Sequence, residues 1–279
     1  MNIIITGAGG FIGTHLCNYF NNKHKLYRIY SLTKPTADYD CYNLDLTDLK
    51  AVKDKINIFS SKKIEVIIHL ASRMASPDKA EDIEIFNDNI AITENMVFLV
   101  KKVKPEILIN FSSIALYPNI SGIFSENSIP NPKYNSDCIY GMSKYASEII
   151  FDFLLRNENI RTTHLRISQV YGDGMREDRI IPTMRNELEK NNSITVFGNG
   201  ERESCFIEIN KLLEYVEYFI EHNVSGTYNI GDENISYFGL AKRILEQNGN
   251  KESIIIKNPR GNKEKFNLDC SKIQKLLKH

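Results

Sequence analysis

Short apolar runs alternate with amphipathic stretches through the first two-thirds of this 279-residue chain. Residues 2–6 predict a strand, glycines follow, 11–20 predicts a helix, and 26–30 a second strand. Next come a helix over 48–59, a continuously apolar strand over 66–69, and a long helix over 83–103 that stops before Pro105. A strand over 107–111 leads into a loop at 118–135 rich in Asn, Ser and Pro. A helix over 138–155 and a strand over 161–167 complete the series. Parallel strands need crossover helices, so alternation of this length predicts an α/β fold with a Rossmann-type doubly wound parallel sheet.

After Val170 the pattern changes. Glycines cluster at Gly172, Gly174, Gly198 and Gly200, and helices over 180–190, 211–221 and 237–247 no longer alternate regularly with strands. The length is roughly the upper end of what one continuous core supports. The expected division is a dinucleotide-binding domain over 1–169 and a smaller C-terminal substrate-binding lobe over 170–279, interleaved with the first.

Composition narrows the partners. Lys plus Arg and Asp plus Glu both number 35, so no global charge draws the chain to nucleic acid or a membrane surface. The five cysteines form no C-x-x-C pair, which excludes a zinc knuckle and argues against a disulfide framework. No basic start precedes a long apolar stretch, and no apolar run approaches the roughly 20 residues of a membrane span. The expected compartment is the reducing cytoplasm, and no metal is expected.

Thr6-Gly7-Ala8-Gly9-Gly10-Phe11-Ile12-Gly13 sits between the first strand and the first helix. Gly7 allows a tight turn, Gly10 removes a side chain where backbone approaches a pyrophosphate, and Gly13 permits close helix–strand packing. Free N–H groups at the helix start favour phosphates. The second strand of an NAD site usually ends in a carboxylate for the ribose hydroxyls; here Arg28-Ile29-Tyr30-Ser31-Leu32-Thr33-Lys34 offers none. Ser31, Thr33 and Lys34 suit a 2′-phosphate instead, so NADP is expected, with NAD as the alternative. Asp45 either accepts from the adenine amino group or, with Thr47, begins a helix.

Tyr140-Gly141-Met142-Ser143-Lys144 places a phenol and an ammonium on one helical face. A neighbouring cation favours tyrosinate, so Tyr140 can give or take a hydroxyl proton as hydride moves, while Lys144 can also bind the nicotinamide ribose. Together with the glycine turn stand His69-Leu70-Ala71, Asn89 with Thr93, the segment from Phe111 to Tyr117, and Leu165-Arg166-Ile167-Ser168-Gln169-Val170-Tyr171-Gly172. In this order the motifs closely resemble the extended short-chain dehydrogenase/reductase family, in its nucleotide-sugar epimerase/dehydratase/reductase branch.

The resemblance covers the chain to about residue 250. It implies that Ser113 joins Tyr140 and Lys144 as the catalytic hydroxyl. It places Phe11, Ile12, Leu46, Leu70, Ala71, Ser72, Asn89, Ser112 and Ile167 about the cofactor. It also implies a nucleotide-diphosphate sugar, met by Ser113, Ile114, Tyr140, Gln169 and the base-packing segment with Val196. Arg176, Arg179 and Arg202 are candidates for the diphosphate. A homodimer is implied through the helices at 83–103 and 138–155. The apolar faces there (Ile92, Met96 and Leu99; Ile149 and Phe153) suit either an interface or the core.

Four departures shape the expected reaction. Ser113 is followed by Ile114 and Ala115 rather than the acidic pair of the 4,6-dehydratases. The ribose carboxylate with which epimerases retain NAD is absent. Gln169 stands where the family often has Asn, and Ser204 where it often has an arginine for the diphosphate, with Arg202 two positions earlier. The expected activity is an NAD(P)H-dependent reductase of a nucleotide-linked 4-keto-6-deoxysugar, for deoxysugar and surface polysaccharide biosynthesis. The alternative is a nucleotide-sugar 4-epimerase using tightly bound NAD.

Overall fold

Apolar runs too short for helices become strands buried on both faces. The computed structural model of the protein describes residues 1–35, 40–74, 80–222 and 224–277. In chain order the elements begin β1 (Asn2–Thr6), α1 (Phe11–Phe20), β2 (Lys25–Tyr30), β3 (Cys41–Asn43), α2 (Leu49–Ser60), β4 (Val66–His69), α3 (Glu84–Val103) and β5 (Ile107–Ser113). They continue with β6 (Gly122–Phe124), α4 (Cys138–Leu155), β7 (Arg161–Ile167), β8 (Gln169–Tyr171), α5 (Ile180–Asn191), β9 (Ser193–Phe197), β10 (Glu203–Glu208) and α6 (Ile209–Glu221). The remainder is β11 (Gly226–Ile230), β12 (Glu233–Ser236), α7 (Tyr237–Asn248), β13 (Ile254–Asn258), β14 (Phe266–Leu268) and α8 (Ser271–Leu276).

A seven-stranded sheet has the order β11-β7-β5-β4-β1-β2-β3. The winding direction reverses at β1, between β4 on one side and β2 on the other. In doubly wound sheets that switch point, at the strands' C-terminal ends, is where ligands bind. The parallel register aligns those ends: Thr6 pairs with His69, His69 with Asn110, and Ser113 with Ile167. Ile4, Ile67 and Leu108 pack with Ile92, Met96, Leu99 and Phe151 in one core cluster. The alternate positions Ile3, Ile5, Val66, Ile68, Ile107 and Ile109 are buried as well. Among the described residues, no helix is long and apolar enough to cross a membrane.

The chain divides into two compact units. The first comprises Met1–Pro118, Ile129–Ile167 and Leu213–Tyr228; the second comprises Asn119–Ser128, Ser168–Leu212 and Asn229–His279. The second unit holds a three-stranded sheet β12-β10-β8 and the parallel pairs β13-β9 and β14-β6. Its core gathers Ile181, Met184, Leu188, Ile194, Val196, Phe206, Leu240 and Ile244.

Candidate active site

The glycine turn after β1 is dictated mostly by packing. Gly7 adopts φ +69°, and a Cβ there would stand 2.9 Å from Ala71 N. A side chain at Gly9 would overlap the Thr33 carbonyl, and one at Gly13 the Gly7 carbonyl. Gly10 differs: it is exposed, and a Cβ would meet only Gly7 O at 3.3 Å. α1 therefore starts in open space. Gly10 is its N-cap without a side-chain bond, and no acid occupies the first turn, leaving its amides and positive pole for an anion. Phe11 and Ile12 lie half-buried in that turn.

The loop after β2 packs against Gly9 through Thr33. Ser31, Thr33 and Lys34 are exposed there, and Leu32 is 98% exposed. Asp45 Oδ1 accepts from Thr47 N at 2.9 Å and Thr47 Oγ1 at 2.8 Å. The cap of α2 is Asp48, which accepts from Lys50 N and Ala51 N. Asp45 thus shapes the turn before the helix rather than its first residue. Leu46 is buried, and its carbonyl accepts from Asn95 Nδ2 at 2.8 Å.

Two polar clamps set the loop after β4. Thr6 Oγ1 accepts from Leu70 N and Ala71 N, both at 3.2 Å, and so gives its own proton to His69 Nδ1 at 2.8 Å. The ring is then neutral with its proton on Nε2. Burial, with the nearby Lys144 charge, pushes His69 down to about 3. Asn89 of α3 accepts from Arg73 N at 2.7 Å and donates to Arg73 O at 3.0 Å and Ser143 Oγ at 2.9 Å. Ser143 Oγ in turn donates to Tyr140 O at 2.7 Å. The Asn89 amide is thus occupied by protein partners, locking the half-buried stretch Leu70, Ala71 and Ser72 in place and joining it to α4.

Ser113 ends β5, and its Oγ caps the following 3₁₀ turn by accepting from Ala115 N at 3.1 Å. Ile114, the first residue of that turn, is half-buried. A Cβ at Gly141 would overlap the Ala115 carbonyl. Glycine beside Tyr140 is therefore what lets α4 approach the Ser113 turn. Tyr140 is half-buried, and Lys144 Nζ lies 5.8 Å from the centre of its ring. Lys144 is only 5% exposed, and burial pushes it down to about 8 while Glu148 opposes the shift. Ser112 Oγ is buried without a hydrogen-bond partner, and Ile167 is buried at the end of β7. An open glycine-lined helix start and an orphaned hydroxyl at the sheet's C-terminal edge fit a dinucleotide.

In the second unit, Gln169 Nε2 donates to Ser204 Oγ at 2.7 Å. Arg202 has a buried Nε without a partner, and its guanidinium lies 5.1 Å from the centre of the Tyr237 ring. Arg176 is exposed and bonded to the Asp178 carboxylate through Nε and Nη2. Arg179 is the N-cap of α5 and is half-buried. Val196 is buried in the core with Ile181 and Leu240, whereas its neighbour Phe197 is exposed.

The profile of the NAD dependent epimerase/dehydratase family matches residues 3–231. This chain belongs to that family. It is 28% identical over 270 residues to the dTDP-D-glucose 4,6-dehydratase of Dictyostelium discoideum, covering 87% of this chain and 61% of that protein. The chain thus spans under two-thirds of the dehydratase. It is 26% identical over 271 residues to the dTDP-4-dehydro-6-deoxyglucose reductase of Escherichia coli, covering 91% and 83%. The UDP-glucose 4-epimerase of Thermotoga maritima, solved with UDP-glucose, superposes with a TM-score of 0.82 at 22% identity, covering 99% of this chain and 92% of that one. Family relatives include dehydratases, epimerases and reductases.

Several residues that build this family's site here escaped the motif reading. Gly9 brings the loop after β2 onto the turn, since a side chain there would overlap the Thr33 carbonyl. Ser143 and Gly141 seat α4, and Glu148 with Arg166 forms a buried ion pair at 2.8 Å behind Lys144. A buried carboxylate one helical turn from a lysine, inside Tyr140-x-x-x-Lys144-x-x-x-Glu148, was the available signal.

Proposed function

We propose that this family member is an NADPH-dependent reductase of a nucleotide-linked 4-keto-6-deoxysugar. The observation that carries the reading is the loop after β2. Ser31, Thr33 and Lys34 stand exposed beside the glycine turn, with no carboxylate from Arg28 to Pro35. A 2′-phosphate then meets a cation and hydroxyls rather than a repelling charge. A cofactor held this way exchanges at each turnover, which suits net reduction. Half-buried Ile114 and buried Ala115 after Ser113 provide no acid for elimination, which argues against a 4,6-dehydratase.

A bound reduced nicotinamide supplies the hydride. Ser113 Oγ donates to the keto oxygen, Tyr140 delivers the proton to the oxygen as it becomes an alcohol, and Lys144 steadies the phenolate left behind and holds the ribose. Arg202, the partly unsatisfied guanidinium of the second unit, takes the diphosphate. A cytoplasmic homodimer through α4 belongs to the same reading: Ile149 and Phe153 are 50% and 58% exposed, while Ile92, Met96 and Leu99 lie in the core.

The test is a coupled assay with 4-keto-6-deoxysugars made in place from dTDP-glucose and GDP-mannose by 4,6-dehydratases. Reduced-nicotinamide absorbance is followed with NADPH and NADH separately. Net NADPH oxidation with one sugar is expected. Interconversion of two nucleotide sugars on NAD that survives purification, without net oxidation, would overturn the reductase in favour of the epimerase.

A further inference from the structure

Tyr140, Lys144 and Glu148 recur every four residues along one face of α4, and the last two are buried. Glu148 is gripped by Arg166 of β7. Arg166 Nε donates to Glu148 Oε1 at 3.1 Å and Oε2 at 3.3 Å, and its Nη2 donates to Oε2 at 2.8 Å. The same guanidinium reaches Tyr117 Oη through Nη1 at 2.7 Å. Tyr117 is fully buried and closes the 3₁₀ turn that Ser113 Oγ caps. One guanidinium therefore ties the helix of Tyr140 and Lys144 to the turn of Ser113.

A buried ion pair is weak evidence of a contribution to stability, since apolar side chains of similar volume often serve as well. Stability alone does not explain these charges. Among the described residues, α4 presents Tyr140 and Glu148 to Lys144 and β4 presents the neutral His69, while Arg166 of β7 grips Glu148. The buried polar residues of α3 are the uncharged Asn89, Thr93 and Asn95. Of these, Glu148 is the carboxylate that acts on Lys144.

We propose that Glu148 and Arg166 are positioning residues: Glu148 is the counter-charge that keeps Lys144 an ammonium in a dry site, and Arg166 fixes Glu148 and the Ser113 turn together. The inference rests on the reading of Tyr140 and Lys144 as the proton-handling pair. Replacing Glu148 by Gln removes the carboxylate that acts on Lys144 and leaves the buried Arg166 cation without its partner.

The test labels the lysines with ¹³C and titrates the Lys144 ε-carbon resonance, assigned by its loss in Lys144→Arg. Glu148→Gln should lower the Lys144 midpoint by about one unit or more, a tenfold rise in acid dissociation constant, and Glu148→Asp should restore most of it. If Glu148→Gln does not fold, Glu148→Met with Arg166→Met keeps the volume, removes both charges, and should still lower the midpoint. An unmoved midpoint in the folded variant overturns the proposal. In the same variant, the alkaline limb of NADPH oxidation with dTDP-4-keto-6-deoxyglucose should shift down with the midpoint. A shifted midpoint with no reduction of any keto-sugar supports the Glu148 link and overturns the reductase reading instead.

Discussion

Gln169 Nε2 donates to Ser204 Oγ at 2.7 Å, joining the parallel strands β8 and β10. These are the two positions at which the chain departs from the Asn and Arg that its family often carries, and here they answer each other. The longer Gln side chain reaches a short buried hydroxyl. Arg202, the residue proposed for the diphosphate, has an Nε buried without a partner and its guanidinium against Tyr237. Arg202→Ala should raise KM for the nucleotide sugar at least about tenfold with a smaller change in kcat, the loss of a charge-assisted hydrogen bond. Steady-state kinetics checks this, and an unchanged KM would remove Arg202 from the diphosphate.

Tyr140→Phe keeps the ring that packs beside Lys144 and removes the hydroxyl that carries the proton. Turnover should fall by about 10²–10⁴-fold while cofactor affinity, read by quenching of nicotinamide fluorescence, stays near wild type. Ser113→Ala should lower kcat by a smaller factor, because it removes a hydrogen bond to the keto oxygen but leaves Tyr140 in place. A catalytically silent dinucleotide sensor would show no change in either variant.

The first unit was largely legible because its central strands are buried on both faces and write continuous apolar runs such as Ile3-Ile4-Ile5 and Val66-Ile67-Ile68. The chemistry was legible where function fixes spacing, as in Tyr140 and Lys144. The second unit was not. β6 and β14 are three residues each and pair Gly122 with Phe266 across about half of the chain, a relation without local signature. In β9 alternation sorts the faces: Ile194 and Val196 face the core, while Phe197 is exposed. The Asn89 clamp was invisible because its partners, Arg73 and Ser143, lie 16 and 54 residues away.

Lys34 stands exposed after β2, beside a turn whose Gly9 touches Thr33. Lys34→Ala should weaken NADPH about tenfold and leave NADH unchanged, the scale of one charge-assisted hydrogen bond. Titration calorimetry with both cofactors measures the difference. Equal wild-type affinity for the two would assign NAD and leave Lys34 a solvated lysine.

Phe153 stacks under Arg156, whose guanidinium carbon is 4.1 Å from the ring centre, and with Ile149 it forms an exposed apolar stripe on α4. Such a stripe on an otherwise well-packed helix suits a self-complementary two-fold contact. Light scattering should give a dimer for the wild type and a monomer for Ile149→Glu with Phe153→Glu, with the fold retained because neither side chain is in the core. A monomeric wild type would end the proposal.

His69 makes the fold sensitive to acid. Burial holds the folded imidazole at about 3, against an ordinary value of 6.5. Between these values the unfolded chain binds the extra proton, so stability is fully present above about pH 6.5 and declines as pH falls toward 3. At about 1.36 kcal/mol per unit, the fall from pH 6.5 to 5 removes roughly 2 kcal/mol. His69→Gln keeps an acceptor for Thr6 Oγ1 but cannot titrate. The variant will be less stable at pH 7 if its packing is poorer, yet its slope between pH 6.5 and 5 should be flatter by that amount in urea unfolding. Parallel slopes would mean that the folded chain protonates His69 as readily as the unfolded one, and that the Thr6 clamp does not hold the ring neutral.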